Sequence, residues 1–404
     1  MTQNQTTPTQ PNHIVAIQRV EEAIRQLKDN ESVLNFFVVD CNNTPNGDMF
    51  YIYHLAKTLH EKGFKVQMLY QLENEYTDGE LYQLERKNQA INPERVFGGV
   101  GQWLGEDYAN LPHLNISTQD WSVKPSDFLF IPEALSSFMV QTFKHKLPCK
   151  RYVLVHNFDY VTDFIPFGSE WKHYGIFDAV VNTKRQEKLI KSVFPYINTT
   201  VLPPCILPVF RKPVEPKKLV VNIVAKHQSD VNKIIKQFYW KYPVYKFISF
   251  RDIRLFSTEK LAEMLKEAPI TVWVDDNSPF GYTALAAMRS GSFLIGKIPQ
   301  VMPDWITNED GSIKNNAIWV YDTNVIPDML NKAITCWLNG KEEEFSTPDI
   351  DATNKLYTPE IWSENVEKFI RNVFQTRIDE FSDVLTTLKA RQNSNNNKID
   401  TENE

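Results

Sequence analysis

Apolar residues recur along the chain in two alternating rhythms. Short runs rich in β-branched and aromatic residues stand at 34–40, 65–70, 127–132, 150–155, 177–181 and 200–203. Stretches with apolar residues at helical spacing lie between them, at 49–61, 135–143 and 184–194. Strand followed by helix, repeated, predicts a doubly wound α/β domain with a parallel sheet. A leading amphipathic helix is expected at 14–27, where Ile14, Ile17, Val20, Ala23, Ile24 and Leu27 share one face. A second series begins at 219. Strands are expected at 219–225, 245–249, 268–274, 292–295 and 318–321, with helices at 231–239, 257–266, 282–289 and 326–338. Between the two series, Arg-Lys-Pro-Val-Glu-Pro-Lys-Lys at 211–218 has charge, two prolines and no apolar period, which marks an interdomain linker. Residues 72–124 are polar without a dominant period. Gly98, Gly99, Gly101 and Gly105 there lack the strand and helix flanks of a dinucleotide fingerprint.

The expected organisation is therefore a disordered start with its leading helix (1–30), an N-terminal Rossmann-like domain (31–210), the linker (211–218), a C-terminal Rossmann-like domain (219–356), a helical segment (357–388) and a disordered tail (389–404). The 404 residues suffice for two such domains, and 42% apolar with 23% charged residues is an ordinary globular composition. Net charge of −6 argues against general attraction to nucleic acid or anionic membrane, though not against a local basic patch. The first eleven residues have no apolar core, and no run approaches the roughly 18 apolar residues of a membrane span. A cytoplasmic protein, at most peripheral to a membrane, is expected. The four cysteines show neither metal-ligand spacing nor a disulfide framework, and no zincin, Walker or serine-hydrolase signature is present.

The most informative stretch is 273–288, Trp-Val-Asp-Asp-Asn-Ser-Pro-Phe-Gly-Tyr-Thr-Ala-Leu-Ala-Ala-Met. It reads as a buried strand, a polar loop and a helix, with Ser278 as N-cap and Pro279 in the first turn. A helix that opens at the carboxyl end of a parallel strand offers free amides and a dipole to a phosphate. Gly281 allows a ligand close to the backbone.

Ser-Pro-Phe-Gly-Tyr-Thr-Ala-Leu-Ala-Ala-Met-Arg-Ser-Gly resembles the donor-site segment of retaining GT-B glycosyltransferases, the family 4 group above all. Phe280, Gly281, Leu285, Ala287, Met288 and Gly291 match in register. Ser278 and Ala286 stand where that group has its two glutamates. Leu59-His-Glu-Lys-Gly-Phe-Lys-Val66 and the strand–helix–strand rhythm of 178–210 are similar to the group's first domain.

The resemblance implies a GT-B fold, two Rossmann-like domains facing a cleft, and transfer of a sugar from a nucleotide-sugar donor to an acceptor hydroxyl. No metal and no cofactor beyond the nucleotide-sugar co-substrate is implied. The acceptor stays open between a glycan, a lipid-linked glycan and, through Lys144-His145-Lys146 and Lys150-Arg151, DNA. His156, which follows a strand, is implied as the catalytic residue facing the donor sugar. Lys226 and Lys233 would neutralise the leaving diphosphate. Ser278, Phe280, Gly281, Tyr282 and Thr283 would hold the donor through the loop and its amides, and Gly47 would admit it to the first loop. Asp304 is either the counterpart of an acid in the group or a helix N-cap. Asp275 and Asp276 end a strand and offer substitutes for a missing acid. A non-catalytic GT-B protein that binds a glycan, a nucleotide or a protein is the alternative, since both glutamates are replaced.

Overall fold

The structure is a computed structural model that describes residues 12–345 and 347–402. Of the disordered start expected at 1–12, residues 1–11 lie outside the described residues, and Asn12 opens the first helix. Two parallel sheets organise the chain. The first has seven strands in the order β3-β2-β1-β4-β5-β6-β7: β1 (Val33–Phe37), β2 (Lys65–Tyr70), β3 (His113–Asn115), β4 (Phe128–Pro132), β5 (Lys150–Val155), β6 (Asp178–Val181) and β7 (Asn198–Val201). The second has five in the order β12-β11-β10-β8-β9: β8 (Val220–Ala225), β9 (Ser249–Asp252), β10 (Ile270–Val274), β11 (Phe293–Lys297) and β12 (Ile318–Val320). β4 and β10 are buried at every position, as strands covered by helices on both faces must be. This is the GT-B architecture, two Rossmann-like domains with the carboxyl ends of their strands turned to a shared cleft.

The first domain carries α1 (Asn12–Lys28), α2 (Gly47–Glu61), α3 (Asp78–Arg86), α4 (Gly101–Leu104), α5 (Glu106–Ala109), α6 (Ser136–Lys144), α7 (Phe158–Phe164) and α8 (Lys184–Val193). The second carries α9 (Gln228–Lys241), α10 (Thr258–Glu267), α11 (Tyr282–Arg289), α12 (Ile326–Leu338) and α13 (Pro348–Asn354). The last helix, α14 (Pro359–Glu402), leaves the second domain and returns to the first. Its Trp362, Val366, Phe369, Ile370, Val373, Phe374 and Phe381 join the first core, and the Trp362 indole donates to Thr58 Oγ1 at 2.8 Å. Removing this helix would expose the face of α2 it covers.

Three expectations need correction. A strand was expected at 245–249. Residues Pro243–Tyr245 instead form a 3₁₀ turn, and β9 begins only at Ser249. Proline at the start fixes the turn geometry and delays the strand. The tail expected to be disordered from 389 is helical through Glu402. Lys389 pairs with Glu21 of α1 at 2.7 Å, and once a helix is docked each further residue adds a hydrogen bond at little cost. Ser278 is not an N-cap, for reasons given below.

Candidate functional site

A cavity of about 310 Å³ opens between the domains. Its first wall is built where β1 ends. Asn46 is extended and its Oδ1 accepts from the Asp48 and Met49 amides at 3.0 and 3.1 Å, which starts α2 there. Gly47 and Asp48 thereby face the cavity. A Cβ on Gly47 would meet only open space, so the missing side chain leaves room rather than relieving a clash.

The stretch at 96–105 that shows no clear pattern in sequence packs against this loop. Asp40 Oδ1 accepts from the Asn42 and Gly98 amides, and a Cβ on Gly98 would lie 2.7 Å from Asn42 Cα. Close backbone approach explains that glycine. It also brings Trp103 to the cavity, where its carbonyl accepts from Thr258 of the second domain at 3.2 Å.

His156 stands at the end of β5 and is 4% exposed. Its ring is fixed from several sides. Glu133, at the end of β4 and 1% exposed, takes the His156 and Asn157 amides on Oε1 at 2.9 and 2.8 Å and faces Nδ1 with Oε2 at 3.2 Å. The Tyr51 ring meets it edge-on at 5.1 Å. Nδ1 is therefore the protonated nitrogen, and buried Nε2 has no partner among the described residues. Burial disfavours the imidazolium, but the Glu133 carboxylate and, beyond it, Asp48 outweigh burial and hold His156 above the ordinary histidine value. Burial also raises the Asp48 carboxyl, against the opposing charge of His156.

The second wall is the start of α11. Gly281, not Ser278, caps this helix, in the left-handed region at φ 69°. Ser278 Oγ accepts from the Gly281 amide at 3.1 Å and closes the preceding loop, so Pro279 lies in that loop and not in the first turn. A Cβ on Gly281 would come within 3.2 Å of both Trp273 and Trp305. Trp305 Nε1 in turn holds the Phe280 carbonyl at 2.7 Å. The loop is thus set against a rigid aromatic floor, and the first amides of α11 lack intrahelical partners, as at any helix start. Tyr282 lines the cavity but packs its ring on Phe50 and Phe210, and its hydroxyl accepts from Leu207, so it also joins the two domains.

Seven of the residues expected at the site line this cavity: Gly47, His156, Ser278, Phe280, Gly281, Tyr282 and Thr283. Lys226, Lys233 and Asp304 do not. Lys226 is exposed at the end of β8 and its charge acts on Asp275. Lys233 is exposed on α9, with an outward side chain that the helical period dictates. Asp304 Oδ2 accepts from the Lys184 amide at 2.7 Å, the first amide of α8 in the other domain. Thr183 is the N-cap of α8, so Asp304 adds a second acceptor at that helix start, across the interface, rather than acting as an N-cap itself. Asp276 pairs with Lys297, and Asp275 accepts from the Asn277 amide. Within the basic stretch weighed for DNA, Lys150 meets Asp178 and Glu380 at 3.3 and 2.5 Å, and Arg151 Nη2 donates to the Gly175 carbonyl, whereas Lys144 and Lys146 make no ion pair among the described residues.

Arg254 was missed. It lies after β9, lines the same cavity, and is held by Asp252, whose carboxylate accepts from Nε at 2.9 and 3.0 Å. Placing the strand four residues too early hid it. Glu133 and Asp48 were missed too; a carboxylate just past a parallel strand and one just past the first loop glycine were the available signals.

No protein-family model matches the chain, and no curated protein sequence matches it. Solved structures do. Sucrose-phosphate synthase from Thermosynechococcus elongatus is 12% identical, with 85% of this chain and all of that one covered at a TM-score of 0.55. TarM is 9% identical over 85% and 98% of the two chains, at 0.55. The pneumococcal O-GlcNAc transferase GtfA, in complex with UDP and GlcNAc, is 10% identical over 87% and 99%, at 0.53. At these identities the likeness is one of fold, and it places the whole of the chain from sheet to sheet within the two-domain GT-B architecture.

Proposed function

We propose that this chain transfers a sugar from a nucleotide-sugar donor to an acceptor hydroxyl in the interdomain cavity. The observation that carries the reading is that one cavity is lined by a helix start and an arginine on one side and by titratable side chains on the other. The donor diphosphate would lie on the free amides of Tyr282 and Thr283, with Arg254 as the fixed cation. Rupture of the bond between the anomeric carbon and phosphate oxygen puts the electron pair on the departing nucleoside diphosphate, which those groups stabilise. His156, held protonated at Nδ1 by Glu133, presents Nε2 to the sugar. The acceptor oxygen forms the new bond to the anomeric carbon and gives up its proton. Asp48, the only carboxylate among the described residues lining the cavity, is placed to receive it. Fold neighbours solved with UDP, UDP-glucose or GlcNAc support a nucleotide-sugar as the donor class.

The non-catalytic reading is kept by one observation. Ser278 is engaged with the Gly281 amide and Ala286 is fully buried, so neither position offers a carboxylate to a donor. Incubation with a panel of nucleotide-sugars, reading nucleoside diphosphate release, separates the two. Release that is lost in Arg254→Ala supports transfer. A donor that binds but is never cleaved, with any acceptor tried, selects the binding reading.

A further inference from the structure

The turn between α9 and β9 sets two kinds of large side chain against each other. Tyr239, Tyr242 and Tyr245 point inward, pack around Phe238 and have satisfied hydroxyls: Tyr239 donates to the Ile248 carbonyl at 2.6 Å, Tyr242 to Asp328 at 2.7 Å, and Tyr245 meets Thr335 at 3.0 Å. They make the turn rigid. Trp240, Val244 and Phe247, from the same nine residues, are 74, 72 and 65% exposed. Large apolar groups clustered in water are unusual and mark an interaction surface. Around them residues 231–250 hold Lys233, Lys236, Lys241 and Lys246 and not one Asp or Glu, in a chain of net charge −6. Lys241 pairs with Asp328, whereas Lys233, Lys236 and Lys246 make no ion pair among the described residues. Lys233, Lys236 and Trp240 are spaced three and four apart and share one face of α9.

We infer that this turn docks on the surface of an anionic lipid bilayer. The charge is complementary to acidic headgroups, and lysines ringing exposed tryptophan and phenylalanine are what an interfacial site requires. The apolar groups project from a turn built on a helix end, a shape suited to entering a soft interface. A nucleic acid would use the lysines, but it gives no role to Val244. The geometry also keeps the cavity free. β9 runs from this turn to the loop at 253–256 that lines the cleft, so the docking residues and the cavity stand at opposite ends of one strand.

The test is co-sedimentation of the full chain with vesicles of equal parts phosphatidylglycerol and phosphatidylcholine, and with phosphatidylcholine alone. Binding to the anionic vesicles only, falling with salt, is expected. Lys236→Glu with Lys246→Glu should weaken partition at least tenfold, since each lysine contributes roughly fivefold at an anionic surface. Trp240→Ser with Phe247→Ser should do the same. Quenching of tryptophan fluorescence by brominated lipid should drop in Trp240→Phe, which keeps an apolar ring and so keeps binding. Unchanged melting curves would show that these surface variants fold. Equal pelleting with neutral vesicles, binding indifferent to the substitutions, or loss of single-stranded DNA retention in place of vesicle binding would overturn the inference. None of these outcomes depends on sugar transfer.

Discussion

The two walls of the cavity are built on opposite principles. The wall from the first domain is made of side chains that titrate: Asp48, and His156 clamped by buried Glu133. The wall from the second domain is made of backbone and one fixed cation: the first amides of α11, set by Gly281 on the Trp273 and Trp305 floor, and Arg254 from the loop after β9. One wall can move a proton and the other can hold an anion at any pH. Transfer of a sugar from a phosphate needs both, and the division by domain means that closing the cleft assembles them. Closure is maintained at several points, among them the Thr258 hydroxyl on the Trp103 carbonyl and Asp304 on the first amide of α8.

The comparison can be broken from either side. The largest effect on stability belongs to the titrating wall. Glu133→Ala strips a buried amide, a half-buried one and a buried imidazole of their acceptor and should cost roughly 3–5 kcal/mol, read by urea unfolding. Gly281→Ala attacks the other wall. An alanine there is forced into the left-handed region and into two tryptophan rings, at a combined cost of roughly 2–4 kcal/mol. Thermal unfolding would measure it, and weaker nucleotide binding should accompany it.

A gentler change separates charge from packing. Glu133→Gln keeps the shape and removes the carboxylate that raises His156. In the native chain His156 titrates above its unfolded value, so its stabilising contribution is complete below that value and is lost as pH rises through the folded one. The variant should lose this window. The His156 inflection of its pH–activity profile should move to lower pH, while a structural role alone would leave the profile in place. The smallest effect is expected at Asp304→Ala, about 1 kcal/mol for one carboxylate–amide bond at a helix start, with a more open cleft in small-angle scattering.

The contrast between the walls also governs what was legible beforehand. The α11 wall was readable because its chemistry is local: strand, loop, left-handed glycine and helix fall within one continuous stretch. Even so, Ser278 misled, because serine before proline looks the same whether it caps a helix or closes a loop onto Gly281. The titrating wall was half visible. His156 follows a strand, but its partner Glu133 is 23 residues away and only the pairing of β4 with β5 brings them together. The two lysines proposed as cations were placed by resemblance alone, and folding left both exposed outside the cavity. Arg254 reaches the cavity lining because the 3₁₀ turn at Pro243–Tyr245 moved β9 along the chain, and sequence period alone does not count such turns. The domain rhythm, by contrast, was fixed by many repeated apolar runs, and one misplaced strand does not alter it.

The central claim is that the anion-holding wall consists of the α11 amides and Arg254. Calorimetric titration of the native chain, Arg254→Ala and Lys226→Ala with ADP, GDP, UDP and CDP tests it most directly. The account predicts that at least one of these binds, that Arg254→Ala weakens it roughly tenfold or more as loss of a charged hydrogen bond does, and that Lys226→Ala leaves it nearly unchanged. Loss of binding in Lys226→Ala with full binding in Arg254→Ala, or no binding to the well-folded native chain, would contradict it.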